Sequence, residues 1–206
     1  MKIIPVITLC VLGIAFGEWR PTWCSNGLYD LRDGRCYRIV KIGSQIWMAE
    51  NLTYRESLQG RAWLVENVPG YWKIAVFYTW NAAMGACPDG WRLPSVSDWK
   101  KLFRYVSGES GERYNSGKAI RILKCEYGWD DKWAPDKVRG TDDYGFCAFP
   151  VGVVWNDETR VGVGGLTDFW TSKSGTTVRF PMTSDDGGFD DSYSSNGLSV
   201  RCIRDY

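Results

Sequence analysis

Apolar and polar residues recur with two different periods along this chain, and the places where the period changes mark its elements. In residues 38–48, RIVKIGSQIWM, the strand formers Ile39, Val40, Ile42, Ile46 and Trp47 flank Gly43-Ser44. A two-residue Gly-X turn between such runs predicts a β-hairpin. From Asn51 to Val76 no period is sustained, and the stretch reads as a long connection. At Thr79 the spacing becomes helical: Trp80, Ala83 and Met84 fall at i, i+3 and i+4, until Pro88-Asp89-Gly90 stops the helix. After Leu93-Pro94, Ser95 or Ser97 caps a second helix with Asp98 in its first turn. Trp99, Leu102, Phe103 and Val106 form its apolar stripe, and Gly108 ends it.

Residues 108–140 are polar and read as irregular, apart from a short apolar patch at Ala119–Leu123. Four β-like segments follow: FCAFPVGVVW, TDFWTS, TTVRFPM and GLSVRCIRDY. Between the last two, SDDGGFDDSYSSNG reads as a solvated loop. The expected architecture is α+β. Two short helices pack on a twisted antiparallel sheet that the N-terminal hairpin and the final strand share, with long irregular loops around it.

The first seventeen residues stand outside that fold. Lys2 begins a signal peptide whose apolar run is Ile3–Phe16, and Ala15-Phe16-Gly17 places small residues where a signal peptidase reads. The run is shorter than the roughly 20 residues a membrane span needs. Cys10 lacks the small residue that lipoprotein processing requires directly ahead of it, so cleavage near Glu18 is expected. Residues 18–206 then form one domain, and the product is secreted or held at the cell surface.

Export gives the cysteines a meaning. Without Cys10 six remain: Cys24, Cys36, Cys87, Cys125, Cys147 and Cys202. An even set behind a signal peptide reads as three disulfides. Sequence order favours one of the fifteen pairings. Cys24 and Cys36 close a turn-rich N-terminal loop, Cys125 and Cys147 bracket an Asp-rich segment, and Cys87 and Cys202 tie the first helix to the last strand. No CxxC pair and no histidine occur, so a metal site is not expected. Removal of Lys2 with the signal leaves basic residues balancing the 24 acidic ones. A neutral domain has no field to steer nucleic acid or an anionic membrane towards it.

The pieces VKIGSQIWMAENLTY (40–54), YTWNAAMGACPDGWRLPSVSDWKKL (78–102), GTDDYGFCAFPVG (140–152), FWTS (169–172) and LSVRCIRD (198–205) resemble, in order, the Fibrobacter succinogenes major paralogous domain family. The resemblance covers nearly all of the mature chain. It implies a C-type lectin-like fold and an exported protein, many relatives coming from plant-fibre or gut bacteria, and it attaches no reaction. The chain departs from the family pattern in lacking a short acidic, Cys-bearing insert within residues 60–77. Cys125 and Cys147 look like an added staple.

Ligand chemistry is less legible. Ala134-Pro135-Asp136 only partly echoes the calcium-binding triplet of lectins. Trp155-Asn156-Asp157 matches a second lectin triplet by letters, yet it reads as the turn of a hairpin after VGVV. The pairs Asp130-Asp131, Asp142-Asp143, Asp185-Asp186 and Asp190-Asp191 sit in turn-like segments. No cofactor is expected, calcium being the one ion such loops could serve. Asp142-Asp143 reads as a pair bonding turn amides.

Of twelve Trp, Trp47, Trp80, Trp91, Trp99 and Trp170 fall on framework pieces and are assigned to the core. Trp129, Trp133 and Trp155 lie in or beside polar segments. With Asp130, Asp131 and Asn156 they are the candidate ligand contacts, because a flat indole rimmed by polar groups suits a sugar ring. Catalysis has no foothold in the spacing: Ser-His and Cys-His machinery is absent, and no carboxylate pair is singled out. The expected function is a non-catalytic binding or adhesion domain for polysaccharide or a surface protein. The alternatives are a building block of a surface matrix and a glycoside-active enzyme. Oligomeric state is not legible.

Overall fold

The expected hairpin is the centre of the first sheet. In a computed structural model, which describes residues 21–56, 58–66, 75–110, 114–130, 139–156, 158–183 and 187–205, β1 (Gly27–Asp30), β2 (Arg35–Ile42), β3 (Gln45–Met48) and β11 (Ile203–Asp205) run in the order β1-β2-β3-β11. All neighbours are antiparallel, and Ile42 pairs with Gln45 across the turn. Gly43 adopts φ 61°, the left-handed region that a Gly-X turn requires. The final strand therefore shares its sheet with the N-terminal hairpin. The signal segment, residues 1–17, lies outside the described residues.

The second helix forms as its sequence dictates. In α2 (Val96–Ser107) Ser95 accepts a hydrogen bond from the Asp98 amide, and Asp98 accepts one from the Ser95 amide at 2.7 Å, a reciprocal capping box. Gly108 ends the helix at φ 71°. Trp99, Leu102, Phe103 and Val106 are all buried, stacked with Trp47, Phe146, Phe169 and Phe180 in one aromatic core. Ring centroids lie 4.7 Å apart for Trp47–Trp99 and 5.5 Å for Phe169–Phe180.

Burial pushes the Asp98 carboxyl up, but hydrogen bonds from Arg92 and Ser95 outweigh it and hold it below the ordinary aspartate value. Stability from this group is present above the unfolded aspartate value and is lost as the pH falls through the lower folded one.

Five expectations are corrected. Helix α1 (Trp80–Met84) is only five residues long and buries Ala82 and Ala83, while Met84 is exposed; small alanines let the short turn sit close to its neighbours. The patch at Ala119–Leu123 belongs to a third helix, α3 (Ser116–Leu123). Asn115 caps it, and Ala119, Ile120 and Leu123 are buried. Gly117 and the β-branched isoleucines weaken helix propensity there, so packing decides. The connection 51–76 contains β4 (Ala62–Val65), paired with β5 (Ala75–Tyr78). The solvated loop after Met182 contains β10 (Gly188–Asp191), which joins β9 (Thr176–Pro181) and β8 (Leu166–Trp170) in the order β10-β9-β8. A further pair, β6 (Val153–Val154) with β7 (Arg160–Val161), gives several antiparallel sheets where one was expected.

Three disulfides close as sequence order favours: Cys24–Cys36, Cys87–Cys202 and Cys125–Cys147. Among the described residues no helix is long and apolar enough to cross a membrane. Of the five framework tryptophans assigned to the core, Trp47, Trp91, Trp99 and Trp170 are buried, while Trp80 is half-buried against it.

Candidate functional site

Three turns meet at one end of the three-stranded sheet. The first is the β8–β9 hairpin, whose residues Lys173, Ser174 and Gly175 lead into Thr176. The second is the β6–β7 hairpin, where the Trp155 amide donates to the Thr159 carbonyl at 2.9 Å. The third is the segment after β10, Ser192–Gly197, turned by a hydrogen bond from the Asn196 amide to the Tyr193 carbonyl at 2.9 Å. Val154 and Gly197 exchange backbone bonds, and the Ser192 amide donates to the Gly175 carbonyl. Buried Asn196 completes the frame: its Oδ1 accepts from the Asn156 amide at 3.2 Å, and its Nδ2 donates to Ser192 Oγ at 3.0 Å.

These ties enclose an open groove of about 710 Å³, whose lining includes Trp155, Lys173, Arg179, Asp190, Asp191 and Tyr193. Trp155 is 40% exposed and Tyr193 is 80% exposed, so two large rings stand in solvent beside polar groups. Isolated exposed aromatics need no explanation, but two on one concave surface do. A smaller concavity of about 510 Å³ lies beside exposed Trp23.

Behind the groove runs an ionic ladder. Asp168 on β8 pairs in register with Arg179 on β9. Arg179 Nη2 lies 2.8 Å from Asp168 Oδ2, and its Nη1 contacts Asp190 of β10. Burial pushes the Asp168 carboxyl above the ordinary aspartate value, with Arg179 pulling it back. The Asp168 hydrogen bonds in turn raise Arg179 against its own burial. A guanidinium clasped by two carboxylates stays charged.

The predicted contacts divide. Trp155 stands in the groove, and Asn156 ties its backbone to Asn196. The Trp155-Asn156 hairpin turn forms as expected. Asp157, Asp131 and Trp133 lie outside the described residues, as do Ala134–Asp136 and Asp185-Asp186. Asp130 is exposed and away from the groove lining; its amide donates to the Gly164 carbonyl at 2.7 Å.

Trp129 corrects the reading that it is a ligand contact. It is 5% exposed, and the buried Lys124 ammonium sits 3.8 Å from its ring centroid. Lys124 Nζ donates to the carbonyls of Pro181 and Met182 at 3.1 and 2.8 Å. The indole is a wall for a buried cation, and a polar-looking sequence concealed it. Tyr193, Lys173, Asp190, Asp191 and Asn196 were missed as a set, although an aromatic beside an Asp pair in a Ser/Asn loop was their one visible sign.

Burial draws Lys124 down to about 7 from the ordinary lysine value. Between that value and about 10.4 the unfolded chain binds the extra proton, so stability rises with pH in this window. Unfolding free energies from urea titrations between pH 7 and 9.5 should climb, by up to about 1.4 kcal/mol per pH unit from this group. Lys124→Met should flatten the climb. An equal slope in both proteins would dismiss Lys124 as its source.

Asp142 serves its turn. Its Oδ1 accepts from the Cys147 amide at 2.7 Å, and its carbonyl accepts from the Gly145 amide at 3.0 Å. Among the described residues no group of three or more Cys, Asp or Glu is placed to hold a metal.

Comparison with known proteins gives one result for this frame. The family model of the Fibrobacter succinogenes major domain matches residues 40–204, from β2 to β11 and so across the whole groove. No curated protein and no solved structure matches the chain.

Proposed function

The chain belongs to the Fibrobacter succinogenes major domain family, and on that premise we propose that it is an exported, non-catalytic domain that binds polysaccharide in the Trp155–Tyr193 groove. The observation that carries this reading is the pair of solvent-facing rings over a polar floor. Sugar rings present flat C–H faces to aromatics and hydroxyls to the rim, and the groove offers both. Its volume falls within the usual range of roughly 300–1,000 Å³ for small-ligand sites.

Export is supported by three disulfides, which persist in oxidising compartments. The targeting segment read in residues 1–17 agrees with it, and secretion or display at the cell surface follows. A C-type lectin-like arrangement belongs to the same reading. Its supports are the Cys87–Cys202 bond from the first helix to the terminal strand and the shared sheet of the chain's two ends. The absence of catalysis is part of the proposal too: the Asp190 carboxylate is engaged by Arg179 and the Asp191 amide, and the chain has no histidine.

Pull-down on insoluble polysaccharides and a glycan array test it. Trp155→Ala and Tyr193→Ala should each weaken retention by tenfold or more, an aromatic stacking contact being worth about 1–3 kcal/mol. The two rings are exposed, so both variants should keep the wild-type melting temperature within a few degrees. Retention that survives both changes, or no retention by folded wild type, would end the polysaccharide reading.

A further inference from the structure

We propose that the groove selects uncharged polysaccharide chains and rejects polyuronates; the inference rests on the polysaccharide reading above. Its ground is the commitment of the groove's guanidinium and the surplus of carboxylates around it. Two positive groups line the groove, Lys173 and Arg179, against two negative ones, Asp190 and Asp191. An Arg in a sugar groove ordinarily invites a carboxylate, because its fork matches one in two places. Here the fork is already engaged on both sides. Asp168 takes Nε and Nη2, and Asp190 takes Nη1.

A ligand carboxylate that reached Arg179 would have to lie against the carboxylates of Asp190 and Asp168 already on its fork. Counting the buried Asp168 behind the floor, the set of five groups carries one surplus negative charge. A polyuronate chain therefore meets repulsion over its length and gains no free guanidinium. A neutral chain meets neither penalty. Its hydroxyls are donors, and the Asp190 and Asp191 carboxylates accept from them through several lone pairs. Arg179 is on this view a positioning residue: it holds Asp190 in place and does not itself recognise sugar.

Titration of the full mature chain with four soluble polymers, at low and high salt, tests this. The polymers are a neutral β-glucan, a neutral mannan, polygalacturonate and chitosan. At least one neutral polymer should bind with an affinity that salt changes by less than about twofold, since no net charge is neutralised. Polygalacturonate should not bind. Asp191→Asn should weaken neutral binding by about tenfold, the loss of one charged acceptor. Asp191→Lys should gain a polygalacturonate binding that high salt abolishes.

A wild type that binds polygalacturonate or chitosan best, through Trp155 and in a salt-sensitive manner, would overturn the selection for uncharged chains and leave the polysaccharide reading standing. Binding to none of the four, nor to any polymer in the pull-down, would overturn both.

Discussion

Replacing Cys87 and Cys202 together by Ala should lower stability by about 4–5 kcal/mol, the loop-closure entropy of so long a crosslink. The bond spans 115 residues and encloses both longer helices, the groove and the two sheets β10-β9-β8 and β6-β7. Its ends are well placed to transmit that constraint. Cys202 is fully buried just before β11, and Cys87 follows α1, where Arg32 Nη2 donates to the Ala86 carbonyl at 2.8 Å. Because Cys125–Cys147 already shortens the enclosed chain, the effect belongs at the lower side of the range. Urea unfolding followed by tryptophan fluorescence would measure it. A loss under about 2 kcal/mol would mean that the unfolded chain is confined by something other than this bond. The double change avoids a stranded thiol, which a single replacement would leave.

The second large effect is centred on Arg201. It is 2% exposed, yet its guanidinium is in the core, over the Phe146 ring at 4.2 Å. Its Nε donates to Asn51 Oδ1 at 2.9 Å, Nη2 donates to the Cys147 carbonyl at 2.7 Å, and Nη1 donates to the Phe146 carbonyl. Asn51 in turn donates to Ser199 Oγ at 3.1 Å. One side chain thus ties the terminal segment to the start of the loop after β3 and to the residues around Cys147.

Arg201→Ala should cost about 3–5 kcal/mol, since it strands buried carbonyls and an amide and opens a cavity. Arg201→Lys should recover only part, because an ammonium cannot fork to three acceptors at these separations. Equal stability of the alanine variant and wild type, by thermal and urea unfolding, would show that the cluster re-forms its bonds elsewhere.

Several of these features could be read in advance, and the reasons are local. The α2 helix was legible, its cap narrowed to Ser95 or Ser97, because cap, stripe and terminal glycine lie within one continuous segment, and each acts on neighbours in sequence. The β2–β3 hairpin was legible for the same reason. Disulfide pairing followed from order along the chain. Strand β10 was not legible. Gly188–Asp191 has the composition of a loop, and it becomes a strand because β9 offers it a ladder and the core accepts Phe189. Strands β4 and β5 are held likewise by their partner, since neither run announces the other.

The groove divides along the same line. Trp155 could be nominated from sequence because an indole beside Asn in a turn is a local sign. Trp129, beside Asp130, carried a similar sign and is buried, because Lys124, five residues earlier, lies over its face with both carbonyl acceptors supplied from residues 181 and 182. Burial depends on what comes back from far along the chain.

The amino-acid sequence by itself determined the family, the oxidised cysteines, the second helix and the first hairpin, each of which rests on short-range pattern or on the order of a few marked residues. Only the tertiary structure decided which aromatics face water and which charges are already paired. Those properties arise where three turns, distant in sequence, are brought together by a sheet whose edge strand has no pattern of its own.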